Sequence, residues 1–238
     1  MKTLASILAL TLLAVRTLPA QQSSLDAAKA APKITDVYHV FFAKAALGKA
    51  QELAEFLNEP DPNAPNPNHR ILLRHQDGDG WDYVEIEHLG TKAIVDNNGT
   101  PMPQAKRSLI EWHNDSFASG PPWAEFAKAL GIDGDASKTA GAVYLVADYR
   151  AASGHRDDMV KMLLDVPPGD TSSGNVLLQH LEGASWNNLA VVRYDSWEKF
   201  AENEKNSTTQ TNKKSGGWFE LRNHMVCHHD TLTDRLLP

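Results

Sequence analysis

Cysteine is almost absent: Cys227 is the only one in 238 residues. No disulfide within the chain can form, and a chain of this length can bury enough core to do without one. Basic residues are also scarce, 23 Lys and Arg against 30 Asp and Glu, for a formal charge of −7. That balance argues against a nucleic-acid partner, which calls for clustered Lys and Arg. It argues equally against docking on an anionic membrane surface. The apolar run from Leu4 to Val15 ends at Arg16, short of the roughly 20 residues that span a bilayer.

What the N-terminus does have is Lys2, that apolar run, and Leu18-Pro19-Ala20 before Gln21. These are the parts of a secretory signal peptide at 1–20, cut near Ala20; an uncleaved anchor is the alternative. The expectation is an exported protein, secreted or periplasmic, with no membrane attachment after cleavage. Loss of Lys2 and Arg16 moves the formal charge from −7 to −9, and such acidity keeps an exported protein soluble. Residues 21–33, rich in Gln, Ser and Ala, read as a flexible leader. Asn98, Asn114 and Asn206 open Asn-x-Ser/Thr triplets, which matter only in a host that glycosylates.

The strongest signal is internal. Asp36-Val37-Tyr38-His39-Val40 matches Ala142-Val143-Tyr144-Leu145-Val146 at an offset of 106. The same offset pairs Ala45-Ala46 with Ala151-Ala152, Gly48 with Gly154 and Leu57 with Leu163. One residue less pairs Leu72-Leu73-x-His75 with Leu177-Leu178-x-His180, Gly78 with Gly183 and Trp81 with Trp186. Matches kept in one order with a single slip read as a duplication, with one copy at 34–135 and the other at 140–238.

Each copy opens on an alternating strand, near 36–43 and 142–149. Leu53, Phe56 and Leu57, and later Met159, Met162 and Leu163, then fall at helical spacing. Loops with Pro follow at 59–68 and 166–174. Hairpins of 70–76 with 81–88 and of 175–181 with 186–194 turn around Gly78/Gly80 and Gly183. A second helix is predicted near Thr91 and, capped by Ser196, at Trp197-Glu198. A closing strand is predicted near Trp123–Leu130 and Thr231–Leu236.

Val-Tyr-x-Val, a Gly before the first helix, Leu-Leu-x-His and a Trp-led strand, used twice, resemble the dimeric α+β barrel superfamily. That superfamily includes antibiotic-biosynthesis-type monooxygenases, EthD-like and NIPSNAP-like proteins, and chlorite-dismutase-like haem proteins. The resemblance covers about residues 34–238 and is one of pattern; no catalytic motif of any member is present. It implies an α+β fold of two tandem ferredoxin-like βαββαβ repeats, packed sheet to sheet as a pseudo-twofold barrel. A small organic molecule would bind between the halves. If Val84 and Ile86 pack on helices, then Arg74, Glu85 and Glu87 point into the barrel as polar anchors, alongside Tyr38 and Tyr144. Two confined carboxylates suit acid–base work; a solvated surface is the plainer alternative.

Ten histidines raise the question of a metal. His75 and His180 share a repeat position, which duplication explains without function. His224 and His228 stand four apart; on a helix they face one side, with Asp230 as a third ligand or outer partner. His-x-x-x-His without the zinc-protease Glu is a weak pattern, and histidines at a helix C-terminus also simply favour its dipole. Three functions stay open: an exported small-molecule binder, an oxidoreductase using a divalent metal or haem at His224/His228, and a cofactor-free oxygenase. The last needs a mostly apolar cavity with few polar anchors. Homo-oligomerisation is left open.

Overall fold

The computed structural model of the chain describes residues 33–91, 102–165, 167, 169–212 and 217–236. The signal peptide expected at 1–20 lies outside them. So do all of the leader except Lys33 and the stretch after Thr91 where a helix is predicted. The elements in order are β1 (Asp36–Ala45), α1 (Ala50–Asn58), β2 (Arg70–Asp77), β3 (Tyr83–Thr91), α2 (Gln104–Arg107), β4 (Ile110–Gly120) and α3 (Trp123–Leu130). Then come β5 (Val143–Ala151), α4 (Arg156–Leu164), β6 (Gly174–Glu182), β7 (Asn188–Tyr194), α5 (Trp197–Asn212), α6 (Gly217–Arg222) and β8 (Met225–Arg235).

The eight strands form one closed antiparallel barrel in the order β1-β3-β2-β8-β5-β7-β6-β4, with β4 returning to β1. This overturns the expectation of two ferredoxin-like repeats whose separate sheets press face to face. β2 is hydrogen-bonded to β8, with Arg74 opposite Asp234, and β4 to β6, with Ala118 opposite His180. The physical reason is the strand edge. An open sheet leaves a row of unpaired N–H and C=O groups at each side, and only closure removes both.

Two local expectations also fail. Trp123–Leu130 is a helix, and the preceding strand is Ile110–Gly120. Pro122 stands at the N-cap, Glu125 lies in the first turn, and Gly131 ends the helix with φ 67°, all helix signals. Residues 225–230, expected as helix, belong to β8, which the barrel needs to join β2 to β5.

Inside the barrel Tyr38, Val40, Leu73, Val84, Ile86, Tyr144, Val146, Leu178, Leu189 and Val191 make one continuous core with Phe126 and Leu130 of α3. Outside, α1 packs Leu53 and Leu57 on Phe41, Ala43 and Leu72. On the other flank α4 packs Met159 on Ala147, Tyr149 and Leu177. Each buried Leu, Phe or Met among them contributes roughly 1.5–3 kcal/mol. At one end of the barrel Trp81 and Trp186 are each 5% exposed, with the rings of His75 and His180 edge-on at 5.8 and 5.2 Å. At the other end lies α3. Tyr38 donates its hydroxyl to the Pro121 carbonyl (2.7 Å) and Tyr144 to that of Leu130 (3.0 Å). Two buried phenols, one from β1 and one from β5, thus tie down both ends of this helix.

Candidate functional site

The predicted polar anchors separate. Val84 and Ile86 face the barrel core, so Arg74, Glu85 and Glu87 lie on the outer face of the barrel wall and not inside it; the assumption that the apolar row faced the helices is reversed. Arg74 is paired with Asp234 of β8 at 2.7 Å. Glu85 is buried against Arg70. Burial, and then the charge of Glu87, push the Glu85 carboxyl up to about 7 against the pull of Arg70. Glu87 accepts from His39 at 3.0 Å, and the other nitrogen of that ring meets Asp115 at 2.9 Å. Tyr38 and Tyr144 do face inward, with their hydroxyls engaged by α3.

Of His224, His228 and Asp230, the last two meet and His224 stands apart. His224 lies in the turn before β8 and His228 within that strand, so four residues separate them by roughly 13 Å rather than one helical turn. His228 meets Asp230 at 3.3 Å and stacks on Tyr149. His224 turns to His155 instead.

A different constellation sits where α3 meets β1 and β3. Asp36 Oδ2 and His88 Nε2 are 2.7 Å apart, and His88 Nδ1 lies 3.1 Å from His69 Nδ1. The Trp123 backbone N–H also donates to Asp36 Oδ2 (3.2 Å), at the start of α3, where the helix dipole favours a carboxylate. His69 stacks on the Trp123 indole at 4.5 Å and 9°. His88 lies between Trp123 and Tyr38, with centroids at 5.6 and 5.3 Å. His88 is 7% exposed; His69 is half-buried. The backbone reinforces the alignment, since His88 N–H donates to the His69 carbonyl (2.8 Å).

The protons in this row follow from donor and acceptor rules. A carboxylate only accepts, so His88 Nε2 carries its proton toward Asp36. In neutral His88, Nδ1 is then a lone pair, and His69 Nδ1–H donates to it. Burial, then repulsion from His88, lower the pKa of His69. At neutral pH it is therefore an uncharged base whose Nε2 lone pair is free of hydrogen bonds among the described residues. A proton taken up at Nε2 lets the Nδ1 proton pass across the 3.1 Å gap to His88 Nδ1, whose ring Asp36 holds in place at Nε2. This is the orienting logic of a carboxylate–histidine pair lengthened by one imidazole.

Nothing in the sequence pattern singled out Asp36, His69, His88 or Trp123. One signal was available: His88 follows Val84 and Ile86 as the third residue of an inward row. A recess of about 210 Å³ lies beside α3, lined by Ile34, Pro121, Glu125, Ala129, Leu164, Asn175, Val176 and Leu177. It shares α3 with the relay but none of the relay side chains.

No protein-family model matches the chain, and no curated protein matches it in sequence. Solved structures do. A protein from Lactobacillus acidophilus NCFM named "putative monooxygenase" superposes with a TM-score of 0.50 at 10% identity, covering 84% of this chain and 94% of its own. An anthrone oxidase-like protein superposes with a TM-score of 0.55 at 8% identity, covering 86% and 92%. At such identities the likeness is one of fold. It agrees with the α+β barrel superfamily that the sequence resembles and does not bear on the tandem duplication. No described helix is long and apolar enough to cross a membrane.

Proposed function

We propose that this protein binds a small, flat aromatic molecule at the α3 end of the barrel and withdraws a proton from it through His69. The observation that carries the reading is the Asp36–His88–His69 row ending in an imidazole stacked on Trp123. An indole and an imidazole in parallel offer a face for an aromatic ring, and a base with a lowered pKa is ready near neutral pH. The names of the two structural neighbours support oxidation by dioxygen as the following chemistry. A methylene between two aromatic rings is acidified by them; it loses a proton to His69 Nε2, and the carbanion passes electrons to dioxygen. Two C–H bonds and the O–O bond break, and one C=O and two O–H bonds form. The sum is a diaryl methylene and dioxygen going to a diaryl ketone and water. The four electrons lost by carbon are those gained by dioxygen.

The test uses the tricyclic ketone anthrone as probe, following oxygen uptake and carbonyl formation. His69→Gln should lower kcat/KM by about 10²–10⁴-fold, the usual span for a general base, and Asp36→Asn should lower it less while leaving KM near its parent value. The pH profile should rise through a pKa below the ordinary histidine value and then level off, because only uncharged His69 accepts the proton. Turnover by His69→Gln at the parent rate would overturn the reading. Export is part of the proposal: N-terminal sequencing of the mature protein should begin at Gln21, and retention of Met1 would count against it.

A further inference from the structure

We propose a second site, for one divalent transition-metal ion, formed by His155, Asp158 and His224. It lies at the far end of β5 from the relay, roughly 25 Å away at strand spacing, and is independent of it. His155 precedes α4, and Asp158 is in that helix's first turn. His224 sits between α6 and β8, held by its own carbonyl accepting from Ala152 N–H (2.9 Å) and its N–H donating to the Leu221 carbonyl (3.0 Å).

The nitrogen geometry is what points to a metal. His155 Nδ1 and His224 Nδ1 face each other at 3.0 Å with the rings at 61°, and Asp158 Oδ2 is 3.9 Å from His224 Nδ1. One atom from each residue lies within 4.8 Å of the others. Two imidazole nitrogens that each sit roughly 2.0–2.1 Å from a tetrahedral zinc ion are themselves about 3.3 Å apart. The pair, at 3.0 Å, stands about 0.3 Å inside that spacing, and the carboxylate, at 3.9 Å, stands a little outside it, so modest movements of the three side chains bring them onto one ion. Without an ion the contact is satisfied only while the pair carries a proton between the nitrogens but not one on each.

A second observation is on the opposite side of the ring. Glu220 Oε1 lies 3.7 Å from His224 Nε2. When Nδ1 binds a metal the proton must reside on Nε2, and a carboxylate there fixes that tautomer and raises the basicity of the ligand. At the corresponding turn after β1, Lys49 and Glu52 form an ordinary ion pair at 2.6 Å, so the histidines belong to the turn after β5 alone. Two nitrogens and one oxygen suit a borderline ion such as Zn²⁺ and leave a coordination position open to water or a small anionic ligand. A bound ion fastens the start of α4 to the turn that feeds β8.

The experiment is a Co²⁺ titration of the full, untagged chain, read by visible d–d absorption, with Zn²⁺ competition by calorimetry. One equivalent should bind, with loss of the Co²⁺ bands on adding Zn²⁺ and a rise in melting temperature. His155→Gln and His224→Gln should each abolish the stoichiometric bands, Asp158→Asn should weaken binding, and Glu220→Gln should weaken it by about 10–100-fold, the usual effect of removing an outer partner. His229→Gln, in the separate grouping of His229 with Asp79 and Asp148, should leave the titration unchanged. Far-UV circular dichroism shows that each variant is folded, and an unfolded His155→Gln is replaced by His155→Asn. Absence of a one-to-one transition in the parent, or a parent-like titration in His155→Gln, would overturn the site. The anthrone assay reports on the other end of the barrel and is unaffected by either result.

Discussion

At the scale of single residues the clearest consequence concerns His39. Burial works to lower its pKa, but hydrogen bonds to Asp115 and Glu87 outweigh it and hold the ring at about 9. A histidine bound more tightly to its proton in the folded state than in the unfolded one adds stability in full below its ordinary pKa. That contribution is lost as pH rises through about 9. The difference in urea midpoint between the parent and His39→Gln should therefore be largest near pH 6 and shrink by pH 10; a constant difference would show that packing, not charge, is what His39 supplies. The same corner shows what the sequence could not reveal. Alternation in β3 sorted Val84 and Ile86 from Glu85 and Glu87, but a closed barrel with helices outside has two buried faces. The outer one accommodates charge when Arg70 and His39 stand beside it, and no single strand says which face is which.

Among the elements, α3 matters most, because it closes one end of the barrel and sets the relay. Its apolar residues Trp123, Phe126, Ala127 and Leu130 follow i, i+3, i+4 and i+7, so the helix was legible in the sequence once a strand there was set aside. β4 was not legible: its inward positions Ser116, Ala118 and Gly120 are small or polar. A Cβ on Gly120 would meet Tyr38 and Leu178 side chains at 2.8 and 2.5 Å, and small residues opposite large ones leave no apolar alternation to find. Tyr144→Phe takes the donor from the Leu130 carbonyl and should cost about 1–3 kcal/mol by urea denaturation. Gly174→Ala places a Cβ 1.8 Å from the Ala129 carbonyl oxygen. That atom is backbone, so α3 and the start of β6 must move apart, and a shift of α3 carries with it the Trp123 N–H that holds Asp36. Anthrone turnover should fall together with the near-ultraviolet circular dichroism of Trp123. Full activity in Gly174→Ala would separate the relay from the helix.

At the scale of the whole molecule the question is whether the barrel behaves as one body. The matched motifs at 36–40 and 142–146 suggested two units, and each hairpin was readable from its glycines and tryptophan. The long-range ladders were not, since pairing of β2 with β8 and of β4 with β6 depends on residues about 60 or more positions apart. Those ladders carry an energetic consequence. The tip of the β2–β3 hairpin crosses β8 so closely that a Cβ on Gly78 would meet the Asp230 carbonyl at 2.4 Å, and the β6–β7 tip crosses β4, with Gly183 against Asp115 at 2.2 Å. The inner core likewise draws Leu73 and Leu178 into one cluster. Unfolding either half strips the other of its strand partners and of much of its core, so the two should open together. Native-state hydrogen exchange in rising urea should give amides of β2–β3 and of β6–β7 the same global midpoint. Leu73→Ala, at a fully buried position, should cost about 2–5 kcal/mol and lower both midpoints equally. If β6–β7 kept its parent midpoint while β2–β3 lost stability, the barrel would be closed in geometry but divided in energy.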